Sequence, residues 1–378
     1  MSRQIPLGVW CNGFSKTHVP PAPLTSTTPN QLQTTCQNRG FTVCRDVRFK
    51  TQHLKQYCIA TMSDTRAALL RASQPPTQAF FSSLITANHI LHYHNVVDAY
   101  GHISVRNPQN PNSFFVSKSI APALVASRDD IEEYRVEDAS PVNKDAPKGY
   151  SERFIHSEIY KKYKGINCVI HAHSEVVIPF SISSTPLRPV FHMGGVMGSQ
   201  VPVYDISNHY KSSDSIHSLL VTNEHLGAAL ANGFHQATIT AKATNMIKSF
   251  AFSQPLPEID FPSNPTVLMR GHGFTCIGET IEEAVYRAIF TCTNARIQTT
   301  TLLIQGSYNA RLLCERFGGG EKETGPAKHE DISYLNEREC KDAWTANRAN
   351  AERPWKLWCA EVATSSLYRN EMENPSTS

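Results

Sequence analysis

The spacing of apolar and polar residues predicts a chain in which helices and strands alternate from about residue 76 onwards. The first clear element is Pro76 to Val97, where Phe80, Leu84, Ala87 and Leu91 recur at helical spacing. Such a stripe is typical of an amphipathic helix with one face against a core. We therefore expect the folded domain to open with this helix.

Short apolar runs predict strands further along the chain. Ile103 to Arg106 and Phe114 to Val116 flank the turn-rich segment 107–112, which indicates a β-hairpin. Asn167 to Ile170 and Thr266 to Met269 are apolar and contain β-branched residues, as buried strands do. These runs predict a central sheet.

Four further helices are predicted. The segment from Ser151 has apolar residues at helical spacing and begins with Ser and Glu, as helix starts often do. Leu219 to Asn232 has a helical pattern, and Thr280 to Leu303 predicts a long helix with acidic residues in its first turn. A last helix is expected near Trp355 to Trp358.

This pattern divides the chain into three parts. Residues 1–61 form an extension, residues 62–310 form one catalytic domain, and residues 311–378 contain a linker, a C-terminal helix and a tail. Within the domain, residues 235–264 have no clear periodicity and are predicted to be a surface insertion or a retained intron. No internal repeat is apparent.

Residues 1–61 contain one acidic residue, Asp46, against seven Lys and Arg, and are rich in Ser, Thr, Pro and Gln. Three interpretations remain open: a disordered tail, a transit peptide, or upstream sequence included by a wrong start, with Met62 as the natural start.

A chain beginning at Met62 is expected to fold, assemble and function like the full chain. The composition of residues 1–61 buries too little apolar surface to offset the entropy of ordering them. Light scattering, thermal midpoint and turnover measure this. A tenfold loss of turnover or a dissociated oligomer would instead identify the segment as a docking arm.

Composition favours a soluble enzyme with a small-molecule substrate. The net charge of +3 is too small to suggest nucleic-acid binding, and no apolar run approaches the ~18 residues that a membrane span needs. Ten cysteines occur without a Cys-x-x-Cys pair, which argues against a disulfide framework. We therefore expect a cytoplasmic protein, with an organellar transit peptide as the alternative.

The candidate chemistry centres on three histidines. His171 and His173 end the strand that starts near Asn167, and alternate strand residues point to the same face, ~7 Å apart. His272 lies about a hundred residues later between Gly271 and Gly273, which allow a sharp turn. Three neutral imidazoles with one open position are a common catalytic zinc site. In a chain with 16 histidines, however, one His-x-His pair can also arise by chance.

A carboxylate completes this hypothesis. Glu152 and His156 are four residues apart, which places them on one face of the predicted helix, just ahead of the His-x-His strand. A carboxylate beside a metal-bound substrate is the usual proton-transfer group. Glu152 is therefore the candidate catalytic residue, and His156 is predicted to orient it or a ligand. Tyr160, further along this helix, is predicted only to pack.

The order of these motifs, with Asp98-Ala99-Tyr100-Gly101-His102-Ile103-Ser104-Val105-Arg106 upstream, resembles the class II aldolase/adducin family from about Gln78 to Ser307. The resemblance implies a three-layer α/β/α fold with a mainly antiparallel sheet. It also implies a divalent metal held by the three histidines, usually zinc with Mn²⁺, Co²⁺ or Mg²⁺ as alternatives, and a homotetramer.

The chain departs from the sugar-phosphate aldolases of that family at their phosphate loop, Gly-Asn-x-Ser-x-Arg. His102 replaces the asparagine, and the loops around Ser117 and His192 are more similar to the branch of small decarboxylases that contains dihydroxyphthalate decarboxylase. A non-phosphorylated substrate is therefore favoured, although Ser151, Lys118 and Ser119 leave anion binding open. The predicted substrate contacts are His102, Ser104, Arg106, Ser117, Ser119 and His192.

The resemblance implies a metal-dependent carbon–carbon lyase. We expect a decarboxylase of a hydroxylated aromatic or a keto or hydroxy carboxylic acid, acting through a metal-stabilised enediolate with Glu152 as acid and base. The alternatives are a class II aldolase or epimerase on the same site, and an adducin-like interaction protein without catalysis.

Overall fold

The computed structural model describes residues 76–235, 261–318 and 332–373. The predicted extension 1–61 and most of the predicted insertion 235–264 lie outside these residues.

In this part of the chain, seven strands form one mixed sheet in the order β3-β2-β1-β4-β7-β6-β5. All neighbouring strands are antiparallel except β5 and β6, which are parallel. The predicted hairpin is confirmed as β1 and β2, with Ser104 paired to Val116. The strands are β1 (His102–Arg106), β2 (Ser113–Ser117), β3 (Ile131–Arg135), β4 (Cys168–Ala172), β5 (Val203–Tyr204), β6 (Thr266–Met269) and β7 (Gly273–Gly278).

Helices cover both faces of the sheet, which makes the predicted three-layer α/β/α arrangement. One apolar core lies between the sheet and helices α1, α5 and α7, and a second lies between the sheet and helices α2 and α4. The α-helices are α1 (Gln78–Tyr93), α2 (Arg153–Lys162), α3 (Ile178–Ile182), α4 (Glu224–Gly233), α5 (Ile281–Gly318), α6 (Glu337–Arg348) and α7 (Glu352–Ala363).

Two predicted helix boundaries were wrong. Helix α4 begins at Glu224 rather than at Leu219, because the Asn223 side chain caps it by accepting the Leu226 N–H, while Leu219 has a positive φ of 68°. Helix α5 continues past Leu303 to Gly318, a segment that contains no proline and a single internal glycine.

The C-terminal region also differs from the prediction of a linker followed by one helix. Residues 311–318 belong to α5, and two helices follow, α6 and α7. Helix α6 starts with a capping box in which the Asn336 and Glu339 side chains each accept the other's backbone N–H. This Asn-x-x-Glu pattern is a sequence signal for a helix start that apolar periodicity alone does not reveal. Among the described residues, no helix is both long and apolar enough to cross a membrane.

Candidate metal centre and active site

The register of the sheet places three polar side chains in one row. His102 of β1 is paired with His171 of β4, and His171 is paired with Thr275 of β7. Paired residues on adjacent strands project from the same face of a sheet. Three segments that are far apart in sequence therefore present side chains to one spot.

The predicted metal ligands converge there. The Nε2 atom of His173 lies 3.1 Å from Nε2 of His171 and 3.1 Å from Nε2 of His272. Glu152 joins them, and one ligand atom from each of the four residues lies within 4.8 Å of all the others. Two nitrogens bound to the same tetrahedral zinc would be about 3.3 Å apart, given a Zn–N bond of ~2.05 Å. The observed spacing therefore fits a single shared ion.

The hydrogen bonds at the far side of two rings strengthen this fit. Nδ1 of His173 lies 3.2 Å from the Asp98 carboxylate, which can only accept a hydrogen bond, so Nδ1 carries the hydrogen. Nδ1 of His171 lies 3.3 Å from Thr275 Oγ1, whose hydroxyl donates to the Met269 sulfur. Both Nε2 atoms are then bare and face each other, an arrangement that a cation between them would stabilise.

His272 is held in place by the two glycines beside it. Gly271 and Gly273 have positive φ angles of 65° and 151°. A Cβ atom on Gly273 would lie 2.0 Å from the carbonyl oxygen of Ala172. Only glycine permits this approach of the turn to the end of β4. Nδ1 of His272 is buried and has no hydrogen-bond partner among the described residues.

Glu152 lies at the start of α2 rather than within it, so the prediction that it shares a helix face with His156 was wrong. The helix begins at Arg153, and Glu152 is its N-cap residue with φ −91° and ψ 16°. Its Oε1 accepts the Val221 N–H at 2.9 Å, and its Oε2 lies 3.6 Å from His171 Nε2 and 3.5 Å from His272 Nε2. These contacts turn the carboxylate towards the histidines.

The electrostatics favour an ionised Glu152 carboxylate beside a neutral His171 imidazole. Burial by itself would raise the pKa of Glu152, but His171, His272 and the Val221 N–H more than offset it and hold this pKa below its usual range. Burial lowers the pKa of His171 well below the ordinary histidine value. This is the protonation state that metal binding requires, because only neutral imidazoles have a free lone pair.

His102, His156 and Ser104 lie beside this cluster. The His102 ring is centred 5.2 Å from the His171 ring, and its Nδ1 is 2.7 Å from His156 Nε2. His156 therefore contacts His102 rather than Glu152. Its other nitrogen is 2.7 Å from Ser104 Oγ, which in turn lies 2.8 Å from the hydroxyl of Tyr160. Tyr160, predicted only to pack, is thus part of a polar chain.

The other predicted substrate residues are arranged differently. The Ser117 hydroxyl is buried 3.4 Å from the hydroxyl of Tyr150, whose ring contacts His102. Ser119 is exposed after β2, and His192 is exposed in a 3₁₀ turn whose next glycines pack on α5 and α6. These contacts do not bring Ser119 or His192 to the histidine cluster.

Arg106 is directed into the fold. Its guanidinium donates hydrogen bonds of 2.6–3.0 Å to the carbonyl oxygens of Pro111, Tyr160, Tyr163 and Ile166. The guanidinium also lies 4.7 Å from the centre of the Tyr160 ring. The hydrogen bonds of Arg106 therefore join β1 to the end of α2. Its N–H groups are occupied by these carbonyl oxygens and are not free to bind a substrate carboxylate.

Arg106→Met is expected to destabilise the fold by about 3 kcal/mol or more, because it leaves several buried carbonyl groups unpaired. Urea unfolding measures this loss. The control is Arg338→Met, since Arg338 is 89% exposed and its removal should change little. Unchanged stability with weakened substrate binding would identify Arg106 as a substrate ligand instead.

Several residues at the site were not predicted from the sequence. Asp98 and Thr275 orient two of the three histidines, and Val221 binds Glu152 through its backbone. The Leu219 and Ile182 side chains lie near Gly271, the residue before His272. Asp98 has a recognisable signal, a carboxylate in the turn just before β1, whereas a backbone donor such as that of Val221 has none.

Comparisons with known proteins agree with this geometry. The family model for the class II aldolase and adducin N-terminal domain matches residues 82–299, more than half of the chain. Decarboxylase tropJ of Talaromyces stipitatus is 41% identical over 288 residues, which cover 76% of this chain and 96% of that protein.

More distant similarities are also found. The 3,4-dihydroxyphthalate decarboxylase of Arthrobacter keyseri is 26% identical over 149 residues, which cover 37% of this chain and 45% of that protein. Among solved structures, an aldolase II superfamily protein from Pseudomonas syringae aligns with a TM-score of 0.49 at 14% identity, covering 78% of this chain and 96% of that one. The family match and the 41% identity show that the chain belongs to the class II aldolase and adducin family.

Proposed function

We propose that this protein is a metal-dependent lyase that decarboxylates a non-phosphorylated carboxylic acid, either a hydroxylated aromatic acid or a keto or hydroxy acid. The observation that carries the proposal is the convergence of His171, His173 and His272 with Glu152, in a chain that is 41% identical to a decarboxylase. An adducin-like role without catalysis would not require this set of residues.

The three histidines would hold the metal through Nε2, with zinc as the preferred ion. A divalent ion bound there supplies a Lewis acid, which stabilises the electron pair left on the substrate when a carbon–carbon bond breaks. Thr275 and Asp98 fix the orientation of two of the rings by bonding their Nδ1 atoms.

Glu152 would take and return the proton that this reaction moves. Its Oε2 faces the same space as the histidine Nε2 atoms, and its other oxygen is fixed by the Val221 N–H. An ionised carboxylate in this position can accept a proton from a substrate hydroxyl and later deliver it to carbon. Burial excludes bulk water, which would otherwise compete for that proton.

The surroundings support a substrate without phosphate. His102 stands where sugar-phosphate aldolases of the family have asparagine, and Arg106 uses its donors on backbone carbonyls. The apolar contacts of Leu219 and Ile182 near Gly271 suit a ring or an alkyl group better than a charged phosphate.

We further propose a cytoplasmic homotetramer that binds neither nucleic acid nor membranes. The small net charge supports the absence of a nucleic-acid partner, and tetramers are common in the family. Light scattering of the purified protein measures the assembly.

The function is tested by metal analysis of the purified protein together with a screen for CO2 release from dihydroxyaryl, 2-oxo and 2-hydroxy acids. We expect about one divalent ion per chain and CO2 release that stops when a chelator removes it. Retro-aldol cleavage of sugar phosphates without CO2 release would favour the aldolase alternative. A protein without metal and without lyase activity would contradict the proposal.

A further inference from the structure

A chain of buried hydrogen-bonding groups runs from the active site to the start of β4. It links His102, His156, Ser104 and Tyr160, with contacts of 2.7, 2.7 and 2.8 Å between successive members. The Tyr160 hydroxyl also lies 3.4 Å from the carbonyl oxygen of Asn167. Each of the four side chains is no more than 2% exposed.

One end of this polar chain is open. Nδ1 of His102 is in hydrogen-bond contact with His156. Nε2 of His102 has no hydrogen-bond partner among the described residues, and this atom is not fully buried. The ring lies between the rings of Tyr150 and His171, centred 4.6 and 5.2 Å away. Nε2 of His102 is therefore the atom that can bind a ligand beside the three clustered histidines.

Burial lowers the pKa of His156 to about 3 and raises the pKa of Tyr160 well above the usual range. His156 consequently carries one hydrogen, and each hydroxyl keeps its own. The arrangement of these hydrogens decides what His102 offers to a ligand.

Two arrangements satisfy the three contacts between the side chains, and only the first also uses the Asn167 carbonyl. In the first, Tyr160 donates to the Asn167 carbonyl, Ser104 to Tyr160, His156 Nδ1 to Ser104 and His102 Nδ1 to His156, which leaves His102 Nε2 as an acceptor. In the second, Tyr160 donates to Ser104, Ser104 to His156 and His156 to His102, which makes His102 Nε2 a donor. The two arrangements differ in the direction of both hydroxyl groups and in which nitrogen of each imidazole carries the hydrogen.

We propose that His102 binds the substrate oxygen beside the metal ligands through Nε2, and that Ser104 and Tyr160 let it act as acceptor for a hydroxyl or donor for an oxyanion. The inference rests on the proposed function, because breaking a carbon–carbon bond next to a hydroxyl changes that oxygen from a donor to an acceptor. His102 would then be a substrate-binding residue, and Ser104, His156 and Tyr160 positioning residues.

Two small ligands of matched size distinguish the arrangements. Glycolate presents a hydroxyl donor beside its carboxylate, whereas oxalate has only acceptor oxygens. Both are titrated calorimetrically into the full chain loaded with one zinc ion, and the zinc content is measured again afterwards. Since the readout is binding, it does not depend on whether any acid is decarboxylated.

His102→Phe is expected to lower the affinity for both ligands by about tenfold, the usual scale for losing a hydrogen bond to a charged or metal-polarised group. Tyr160→Phe should act selectively. Without the tyrosine oxygen, Ser104 can satisfy its hydroxyl only by donating to His156, so His102 presents an N–H. Glycolate should then bind about tenfold more weakly, while oxalate binding stays unchanged.

The matched control is Tyr163→Phe. Tyr163 is also a buried tyrosine at the end of α2, but its hydroxyl donates to the Ala231 carbonyl outside this polar chain. It should change neither affinity. If Tyr160→Phe does not fold, Ser104→Ala tests the same selectivity, because it also removes the group that accepts from His156.

Three results would overturn the inference: unchanged affinities in His102→Phe, equal losses for both ligands in Tyr160→Phe, or a zinc-loaded native protein that binds neither ligand. CO2 release by a protein with any of these results would leave the proposed function intact and remove only the role of His102.

Discussion

Single substitutions of His171, His173 or His272 by alanine are expected to release most of the bound metal, with affinity falling by more than about 100-fold. Each ring supplies one of three nitrogens in a cluster in which His173 Nε2 lies 3.1 Å from each of the other two, and two imidazoles alone hold zinc poorly at neutral pH. Elemental analysis after dialysis against a weak chelator measures the loss. Turnover should fall in parallel.

A matched control is available on α1. His94 caps that helix and pairs with Glu361 on α7, away from the cluster. His94→Ala should keep full metal content, with at most a modest loss of stability. A double variant of His171→Ala and His173→Ala that retained one ion per chain would show that the metal lies elsewhere.

Glu152→Gln is expected to keep the metal and the fold but to lower turnover by about 100-fold or more, the usual scale for an acid–base group. The amide retains an oxygen for the Val221 N–H, so the local backbone should be unchanged. It cannot accept and return a proton. Steady-state kinetics on the metal-loaded variant measures the effect.

Glu158→Gln is the control on the same helix. Glu158 is also largely buried, but its carboxylate pairs with Lys161 instead of facing the histidines. Its replacement should leave turnover within a few-fold of the native value. Near-normal turnover in Glu152→Gln would remove that carboxylate from the mechanism.

The sequence predicts the centre of the site well, because local rules are sufficient there. The alternation of side chains along a strand places His171 and His173 on one face. Gly271 and Gly273 indicate a turn at His272. The structure brings all three together with Glu152. What remains a prediction is their use as metal ligands.

The surroundings of the site are harder to predict, because they depend on pairing between distant segments. Nothing in the local sequence indicates that His102 pairs with His171, which follows from the register of β1 on β4. Arg106 is a second example of this dependence on distant segments. An arginine at a strand end suggests a ligand contact, yet here packing of α2 against the sheet directs it to backbone carbonyls.

The same dependence on distant pairing has a consequence for the order in which the protein assembles. His173 and His272 are 99 residues apart, and β7, which follows His272, is the last strand of the sheet in the chain and lies between β4 and β6. A partly folded chain in which β7 has not yet inserted offers at most two of the three imidazoles. Metal would therefore bind tightly only to the finished sheet, and its binding energy would favour that state over every intermediate. Metal supply during synthesis would then influence the yield of folded protein as well as its activity.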